Sequence, residues 1–368
     1  MKTVPFFEYS KIFRDNKDKL LEIFSDVGSR GAYILQNDLN KFEVSLSKYT
    51  GAKYAIGVNN ATDALQIGLI NGGIKSGDEV IISSHTMVAT AGAIHHVGGV
   101  PVPVEVGNDL LIDYQSIESN ITSKTKAIMP THLNGRTCNM DMIMKIATKH
   151  NLLIFEDAAQ ALGSKFKGKS AGTFGVSSAI SFYPAKNLGA LGDAGAILTN
   201  DENLYEQMIS YRDHGRFNKT GEVINWGVNS RLDNLQAAFL NFFLSKYEQT
   251  VLRRRFIAKM YQELLEEISQ IKLPQPPNNG DHYDVFQNYE IRAKDRDQLK
   301  IFLEEKGVGT LVQWSGKAIH HYKLLGFNID LPKTDKIFDE IIMLPLNLFI
   351  SDDDVEYVAE CIKEFYGY

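Results

Sequence analysis

In the stretch Leu152-Leu153-Ile154-Phe155-Glu156-Asp157-Ala158-Ala159-Gln160, a short apolar run is followed directly by two acidic residues. Similar runs surround it, with helix-like segments between them, at residues 80–82, 102–106, 127–129, 179–182 and 196–198. Apolar runs of this length are typical of strands that are buried on both faces, as in parallel sheets. The alternation therefore predicts an α/β fold in which a mostly parallel sheet is covered by helices.

The pattern changes after about residue 230. A long helix is predicted from Leu235 to Leu265, and a group of proline, asparagine and glycine residues at 274–280 interrupts the chain after it. The remaining segments are a strand at 285–291, a helix at 295–306, a strand at 310–314 and a closing helix with Ser351 as its N-cap. We therefore expect a large domain at residues 1–245 and a smaller α/β domain at residues 246–368.

The composition excludes several classes of protein. Of the 368 residues, 44% are hydrophobic and 23% are charged, as in ordinary globular proteins. With 39 basic and 45 acidic residues, the formal net charge is −6, which excludes the basic surface of a general nucleic-acid-binding protein. Two cysteines, Cys138 and Cys361, form neither a disulfide framework nor a four-ligand zinc site. They fit a reducing compartment.

The apolar segments are too short for a membrane protein. No apolar run reaches the ~18 residues that a membrane-spanning helix needs. The segment Met1 to Glu8 has no apolar stretch of the kind found in signal peptides. We therefore expect a cytoplasmic protein that contacts no membrane and no nucleic acid, and we predict no metal site.

One motif match is rejected. The segment from Gly163 to Ser170 formally fits the phosphate-binding loop pattern, in which two glycines flank four residues before a lysine. A true loop of this kind opens a helix directly, whereas Ala171-Gly172-Thr173-Phe174-Gly175 follows here. Because so much glycine disfavours a helix, we interpret the segment as a basic surface hairpin with Gly168 in its turn.

A stronger signal follows the run at 179–182. The chain reads Ser181-Phe182-Tyr183-Pro184-Ala185-Lys186-Asn187, and three glycines follow at three-residue spacing. Ligands of open α/β sheets bind at the carboxyl ends of strands, so Asp157 and Lys186 could share one crevice. Partial burial would lower the pKa of the lysine and free its amine to attack a carbonyl. From the spacing alone, a solvated lysine and a helix-capping aspartate remain an alternative.

A third signal is Asn59-Asn60-Ala61-Thr62-Asp63-Ala64-Leu65, which opens a predicted helix with small and hydroxyl residues. The free amides of a helix N-terminus, together with a threonine hydroxyl, are suited to bind a phosphate group. A plain N-cap without a ligand is the alternative.

Taken in this order, the motifs resemble those of the DegT/DnrJ/EryC1/StrS family of sugar aminotransferases. Further matching segments extend the resemblance over nearly the whole chain: Gly31 to Leu35, Gly77 to Ile81, Gly192 to Ala196 and Asn229 to Ala238. The resemblance implies a fold type I pyridoxal-phosphate (PLP) enzyme. Its large domain would hold a mostly parallel seven-stranded sheet flanked by helices, followed by a small C-terminal α/β domain.

The resemblance also implies a role for each matching residue. Lys186 stands where the family has the catalytic lysine that binds PLP covalently, and Asp157 stands where a carboxylate keeps the pyridine nitrogen protonated. Gln160 matches the residue beside the phenolic oxygen. The matches to phosphate contacts are Ala61, Thr62, Ser181 and Asn229. In the family the second subunit contributes the contact matched by Asn229, so we expect a homodimer with active sites at its interface.

Some positions depart from the family pattern or concern the substrate. Met87 stands where an aromatic residue usually covers the cofactor ring, and its polarizable sulfur can also lie over a ring. The alternative is that Met87 fills the core. His320 lies in a region that faces the sugar in resembling enzymes, with a structural loop as the alternative. Tyr183 and Arg231 are further expected substrate contacts.

These matches imply a PLP-dependent aminotransferase for amino-sugar biosynthesis. It would move an amino group from L-glutamate to C3 or C4 of a nucleotide-linked keto-deoxysugar. One alternative is a sugar dehydratase of the same family, but such enzymes carry histidine where Lys186 stands. The other alternative is a catalytically silent, dimeric regulatory or scaffold protein, for which the complete set of site residues would have no use.

Overall fold

A computed structural model of the chain describes residues 2–217, 219–277 and 280–368. Residues 278 and 279, which belong to the predicted interruption at 274–280, lie outside the described residues.

The strands are short and are separated by helices through most of the chain. They are β1 (Tyr54–Val58), β2 (Glu79–Ser83), β3 (Val100–Val104), β4 (Thr125–Met129), β5 (Leu153–Asp157), β6 (Lys165–Phe166), β7 (Lys169–Ser170), β8 (Ser177–Ser181), β9 (Gly195–Thr199), β10 (Ile271–Lys272), β11 (His282–Tyr283), β12 (Tyr289–Ala293) and β13 (Ile341–Leu344).

The helices range from single turns to six turns. The α-helices are α1 (Tyr9–Arg30), α2 (Asn37–Thr50), α3 (Ala61–Asn71), α4 (Val88–His96), α5 (Tyr114–Ser119), α6 (Met140–His150), α7 (Glu202–Arg212), α8 (Asn234–Leu244), α9 (Tyr247–Leu265), α10 (Arg296–Glu305), α11 (Pro332–Glu340) and α12 (Asp352–Tyr366). Short 3₁₀ turns lie at Leu133–Gly135, Gln313–Gly316, Ile319–His321 and Lys323–Leu325.

The main sheet of the described residues has seven strands in the order β1-β9-β8-β5-β4-β2-β3. Pairing is parallel from β3 through β8, and β9 runs antiparallel to both β8 and β1. Ile81 packs into one apolar cluster, whereas Val80 and Ile82 on either side of it pack into another. Both faces of β2 are therefore covered, and the predicted helix-flanked, mostly parallel sheet is confirmed.

The C-terminal part is built on a smaller antiparallel sheet, β10-β12-β13. Its apolar core combines residues of that sheet with residues of α9, α10 and α12, and includes Val4 from the N-terminal segment. The closing helix α12 begins as predicted, because Ser351 and Asp354 exchange the two hydrogen bonds of a capping box. The division into domains at residue 245 stays a prediction.

Two sequence predictions in this part are wrong. The long helix predicted from Leu235 to Leu265 is interrupted, since Lys246 has φ −110° and ψ 1° and separates α8 from α9. The strand predicted at 310–314 does not form, because Trp314 and Ser315 take left-handed φ angles of 52° and 54° that end an extended segment. Leu311 still pairs with Met343 as an isolated bridge.

The rejected phosphate-binding loop is a hairpin, as predicted. Strands β6 and β7 pair antiparallel, and Gly168 takes a φ of +77° in the turn between them. Strand β11 adds to the outer side of β6, so the hairpin is part of a three-stranded sheet.

Candidate active site

A cavity of about 850 Å³ lies where β5 and β8 end, with the segment 311–315 of the C-terminal part on its wall. Because β5 and β8 are parallel neighbours, their carboxyl ends open on the same edge of the sheet. The residues of the sequence prediction that line this cavity are Ala61, Thr62, Met87, Asp157, Gln160, Ser181, Tyr183 and Lys186. The structure thus brings together residues from four separate segments, at 61–62, 87, 157–160 and 181–186.

Asp157 is the last residue of β5, and 5% of its surface is exposed. Its Oδ2 accepts a hydrogen bond of 2.7 Å from the Thr90 hydroxyl, and its Oδ1 accepts one of 3.1 Å from the Ala159 amide. The carboxylate is therefore held in one orientation by donors on both oxygens. A buried carboxylate with two donors is suited to bind a protonated ring nitrogen.

A chain of hydroxyl groups stands behind Asp157. Thr131 donates to Thr86 at 2.9 Å, and the Thr86 and Thr90 hydroxyls lie 2.8 Å apart. The sequence motifs assign no role to these threonines. Thr86 and Thr131 follow the ends of β2 and β4, so the rule that ligand sites form at the carboxyl ends of strands could have identified them.

Lys186 lies in the loop after β8 and is half-buried. Burial lowers the pKa of its ammonium to about 8, and the negative charge of Asp157 partly opposes this shift. A lysine with this pKa is roughly one-tenth free amine at pH 7, far more than an ordinary lysine, and the free amine is the form that attacks a carbonyl. The predicted lysine and its predicted carboxylate partner thus face one cavity.

The start of α3 forms another wall. Asn60 caps this helix, since its side chain accepts a hydrogen bond of 2.8 Å from the Asp63 amide. The amides of Ala61 and Thr62 belong to the first turn, where helices leave N–H groups without carbonyl partners. The plain N-cap and the phosphate site are therefore compatible, because the cap uses a different amide.

Gly195 allows this helix to approach the sheet. It starts β9 and lies opposite Ser181 in the strand register. A Cβ atom at Gly195 would lie 2.4 Å from the carbonyl carbon of Asn60, so a side chain would displace the first turn of α3. The absence of a side chain brings the amides of α3 and the hydroxyl of Ser181 to the same end of the cavity.

Gln160 has a fixed orientation. Its Oε1 accepts a hydrogen bond of 2.9 Å from the Asn134 amide and a weaker one of 3.4 Å from Asn288. Because the oxygen is occupied by donors, the NH₂ group is the part of the side chain left for a ligand. This NH₂ group can donate a hydrogen bond to the phenolic oxygen of PLP, as the resemblance implies for Gln160.

Met87 and Tyr183 also border the cavity. Half of the Met87 surface is exposed, and it immediately precedes α4. The alternative that Met87 fills the core is therefore wrong. Tyr183 is 52% exposed, so its ring is available to a ligand.

His320 is not part of the cavity wall, and 2% of its surface is exposed. Its Nδ1 lies 2.7 Å from the Ser84 hydroxyl and its Nε2 lies 2.8 Å from Asp335. The Nε2 atom of His321 lies 2.7 Å from the same Asp335 oxygen. This geometry supports the alternative of a structural histidine and places His320 away from the cavity.

These three residues could also be taken for a metal site, since their ligand atoms lie within 4.8 Å of one another. However, His321 Nδ1 accepts a hydrogen bond of 3.1 Å from the Ala318 amide. The neutral ring therefore carries its proton on Nε2, the atom that would have to bind the metal. The geometry favours a hydrogen-bonded cluster.

Arg231 and Asn229 also lie away from the cavity of their own chain. The Arg231 side chain forms an ion pair of 2.9 Å with Asp213, and neither Arg231 nor Asn229 lines the cavity. The backbone of Asp213 pairs with that of Asn229 as an isolated β-bridge. Asn229 itself is exposed. An exposed position outside its own cavity is what a contact to a second subunit requires, but a single chain does not test that role.

PLP fits the groups that the cavity presents. The amides of Ala61 and Thr62 and the hydroxyls of Thr62 and Ser181 offer donors for its phosphate, and Asp157 offers a carboxylate for its pyridine nitrogen. Lys186 offers an amine for its aldehyde. The close approach at Gly195 supports the same assignment, because it serves to bring donors from α3 and β8 together.

Comparisons with known proteins agree with this site. A sequence profile of the DegT/DnrJ/EryC1/StrS aminotransferase family matches residues 15–363. The crystal structure of DesV from S. venezuelae, in complex with a ketimine intermediate, superposes with a TM-score of 0.95 at 33% identity and covers 100% of both chains.

Two curated relatives match the chain along almost its full length. A dTDP-3-amino-3,6-dideoxy-alpha-D-galactopyranose transaminase from Aneurinibacillus thermoaerophilus is 39% identical over 99% of this chain and 100% of its own. A protein from Geobacillus stearothermophilus named pleiotropic regulatory protein is 38% identical over 99% of this chain and 98% of its own.

Fold and site together define a PLP-dependent aminotransferase. The chain belongs to the DegT/DnrJ/EryC1/StrS aminotransferase family, and the resemblance found in its motifs is confirmed. None of the described helices is both long enough and apolar enough to cross a membrane.

Proposed function

We propose that this enzyme transfers an amino group from L-glutamate to a keto-deoxysugar carried on a nucleotide, at C3 or C4 of the sugar. The observation that carries the proposal is the shared cavity of Lys186 and Asp157, which also holds phosphate donors at one end. The names of full-length relatives support a nucleotide-linked substrate, since one of them is a dTDP-sugar transaminase at 39% identity.

The size and polarity of the cavity agree with such a substrate. Its volume of about 850 Å³ lies in the upper part of the range of small-molecule sites. The wall formed by residues 311–315 borders the same cavity as the cofactor residues and includes the polar residues Gln313 and Ser315, of which Ser315 is exposed. A sugar with several hydroxyl groups needs polar partners of this kind.

The residues would act as follows. When bound, PLP supplies an electron sink for the carbanion that forms next to nitrogen. Asp157 would hold the proton on the pyridine nitrogen, and the NH₂ group of Gln160 would donate to the phenolic oxygen. Lys186 Nζ would move a proton between the α-carbon of the donor and C4′ of the cofactor. One amino group is then carried over in two half-reactions, which gives ping-pong kinetics.

We also propose that the working enzyme is a homodimer, in which Asn229 of one subunit completes the phosphate site of the other. Its exposure and its place outside the cavity of its own chain support this arrangement. We propose separately that each subunit has a large domain at residues 1–245 and a small one at residues 246–368.

The proposal is tested by incubating the purified protein with PLP, L-glutamate and a panel of nucleotide-linked 3-keto and 4-keto sugars. We expect an amino-sugar product, with 2-oxoglutarate formed in equal amount. Absence of product with every sugar, although glutamate alone converts the cofactor to its amine form, would overturn the acceptor class. If L-glutamate does not convert the bound cofactor to its amine form, L-glutamate is not the amino donor and that part of the proposal is overturned.

A regulatory function is the second candidate, because one relative at 38% identity carries the name of a regulatory protein. A catalytically silent chain would not need a buried carboxylate and a lysine of lowered pKa in one cavity. Absorption spectroscopy separates the two candidates: covalent binding of PLP by Lys186 gives a visible band, which a silent relative would lack.

A further inference from the structure

Asn134 connects Gln160 to the C-terminal part of the chain. Its backbone amide donates to Gln160 Oε1 at 2.9 Å, and its backbone oxygen accepts from the Gln287 amide at 3.0 Å. Its side-chain Oδ1 accepts from Asn288 at 2.8 Å and also from Gln313. One residue therefore contacts both walls of the cavity.

The side-chain amide of Asn134 has one further contact. Its Nδ2 donates a hydrogen bond of 2.7 Å to Oε2 of Glu290, which lies in β12. Asn134 also takes a left-handed φ of 55°, a conformation that asparagine tolerates better than most residues. The side-chain contacts thus hold the backbone in the position from which its amide reaches Gln160.

Glu290 is an unusual partner, because 2% of its surface is exposed and no lysine or arginine among the described residues pairs with it. The ring of His85 lies close by, with its Nε2 3.7 Å from Oε2 of Glu290. Burial raises the pKa of Glu290 to about 8 and lowers that of His85 to about 3, so both side chains are mainly uncharged at neutral pH. Glu290 then acts as a neutral acceptor for Asn134.

We propose that Asn134 and Glu290 are positioning residues, which hold the Gln160 side chain so that its NH₂ group faces the cofactor oxygen. The inference rests on the proposed role of Gln160. Neither residue needs to touch the substrate, since Glu290 contacts Asn134 and Asn134 contacts Gln160. Loss of either contact would let the Gln160 amide turn and present its oxygen instead.

The test uses the full-length protein reconstituted with PLP. The pH midpoint of the visible absorption band and the Kd for PLP are measured for Gln160→Ala, Asn134→Gly and Glu290→Leu. A hydrogen-bond donor at the phenolic oxygen stabilises the deprotonated form of the bound cofactor, in which that oxygen is more negative. Without the donor, deprotonation needs a higher pH. The pH midpoint of the absorption band should therefore rise in all three variants. We expect Gln160→Ala to weaken PLP binding about fivefold, the equivalent of one hydrogen bond of about 1 kcal/mol.

Matched variants control for unrelated damage. Asn151→Gly makes the same substitution at a left-handed φ of 54° outside the cavity and should leave both readouts unchanged. Glu290→Gln keeps an oxygen acceptor for Asn134 and should restore the wild-type midpoint. In the double variant Asn134→Gly/Gln160→Ala, the midpoint should equal that of Gln160→Ala alone, because both changes remove the same interaction.

The inference is overturned if Gln160→Ala shifts the midpoint while Asn134→Gly and Glu290→Leu do not. It is equally overturned if Gln160→Ala has no effect, because its premise then fails. If Asn134→Gly does not fold, Glu290→Leu compared with Glu290→Gln decides alone. None of these measurements uses a sugar. They therefore test the roles of Asn134 and Glu290 even if the proposed amino acceptor, a nucleotide-linked keto-sugar, is wrong.

Discussion

The hydroxyl of Thr90 donates a hydrogen bond of 2.7 Å to Oδ2 of Asp157. Thr90 lies in the first turn of α4, whereas Asp157 ends β5, and both are buried. The contact continues through Thr86 to Thr131, so the carboxylate is held by a chain of hydroxyl groups from two segments, residues 86–90 and residue 131. Thr90 therefore fixes the direction in which Asp157 meets the cofactor.

Replacing Thr90 by valine should lower turnover at least about tenfold, since a hydrogen bond to a charged group contributes roughly 1.5–3 kcal/mol. Valine has nearly the shape of threonine but donates no hydrogen bond, so packing is preserved. Thr90→Ser keeps the hydroxyl and should retain most activity. Steady-state kinetics with a saturating donor check this, and equal turnover of the valine and serine variants would contradict it.

Replacing Asp157 by asparagine should have a larger effect. The change keeps the shape of the side chain but removes the charge that would hold the pyridine proton. We expect turnover to fall by at least ~10²-fold, as when other electrostatic partners of a transition state are removed. PLP affinity, measured by titration of the visible band, should fall much less. Near wild-type turnover in Asp157→Asn would refute the assigned role.

Much of the fold could be predicted because its signals are local. The apolar runs at 80–82, 127–129 and 196–198 lie within strands β2, β4 and β9, since a strand buried on both faces has a recognisable composition. The direction of β9 could not be predicted, because parallel and antiparallel central strands have similar sequences. The break before α9 was missed because Ser245 and Lys246 are not strong helix breakers.

The candidate site shows the same division. Asp157 and Lys186 were found because both follow the ends of apolar runs, where open α/β sheets bind ligands. The pair of Asn134 and Glu290 could not be found, since 156 residues separate them and only the folded chain brings them into contact. His320 was expected at the substrate, but contacts with Ser84 and Asp335 hold it elsewhere.

Lys186 should be the lysine that binds PLP covalently. Borohydride reduction followed by peptide mapping should place the cofactor on Lys186 and not on Lys169, which lies in the hairpin strand β7. The rate at which PLP binds to the apoprotein should rise with pH and level off above about 8, where burial places the pKa of Lys186. Only the free amine attacks the aldehyde. A rate that still rises steeply at pH 10 would contradict this environment.

Glu290 should make the stability of the protein depend on pH. Its pKa is raised from 4.5 to about 8 in the folded chain. Between these values the folded state binds more protons than the unfolded state, so the free energy of unfolding falls as pH rises, by up to about 1.4 kcal/mol per pH unit. Above pH 8 this contribution levels off.

Glu290→Gln removes the titrating group and should therefore gain stability relative to the wild type between pH 5 and pH 8. Denaturant unfolding of the apoprotein at both pH values measures the difference. Asp353→Asn, a change of an exposed carboxylate in α12, serves as the control and should show no such trend. A constant difference between Glu290→Gln and the wild type across this range would show that Glu290 is already ionised at pH 5.

Subunits that are inactive alone should restore activity when mixed, if Asn229 acts across a dimer interface. The test combines Lys186→Ala chains with Asn229→Ala chains. In a mixed dimer, the site built on the Asn229→Ala chain has its own Lys186 and receives an intact Asn229 from the partner. The other site carries both lesions. Random exchange should therefore restore about a quarter of wild-type activity, because about half of the dimers are mixed and each has one intact site.

If Asn229 acts within its own chain, each site of a mixed dimer keeps one lesion and the mixture stays inactive. Inactivity after exchange has been verified by native mass spectrometry would then reject the shared site.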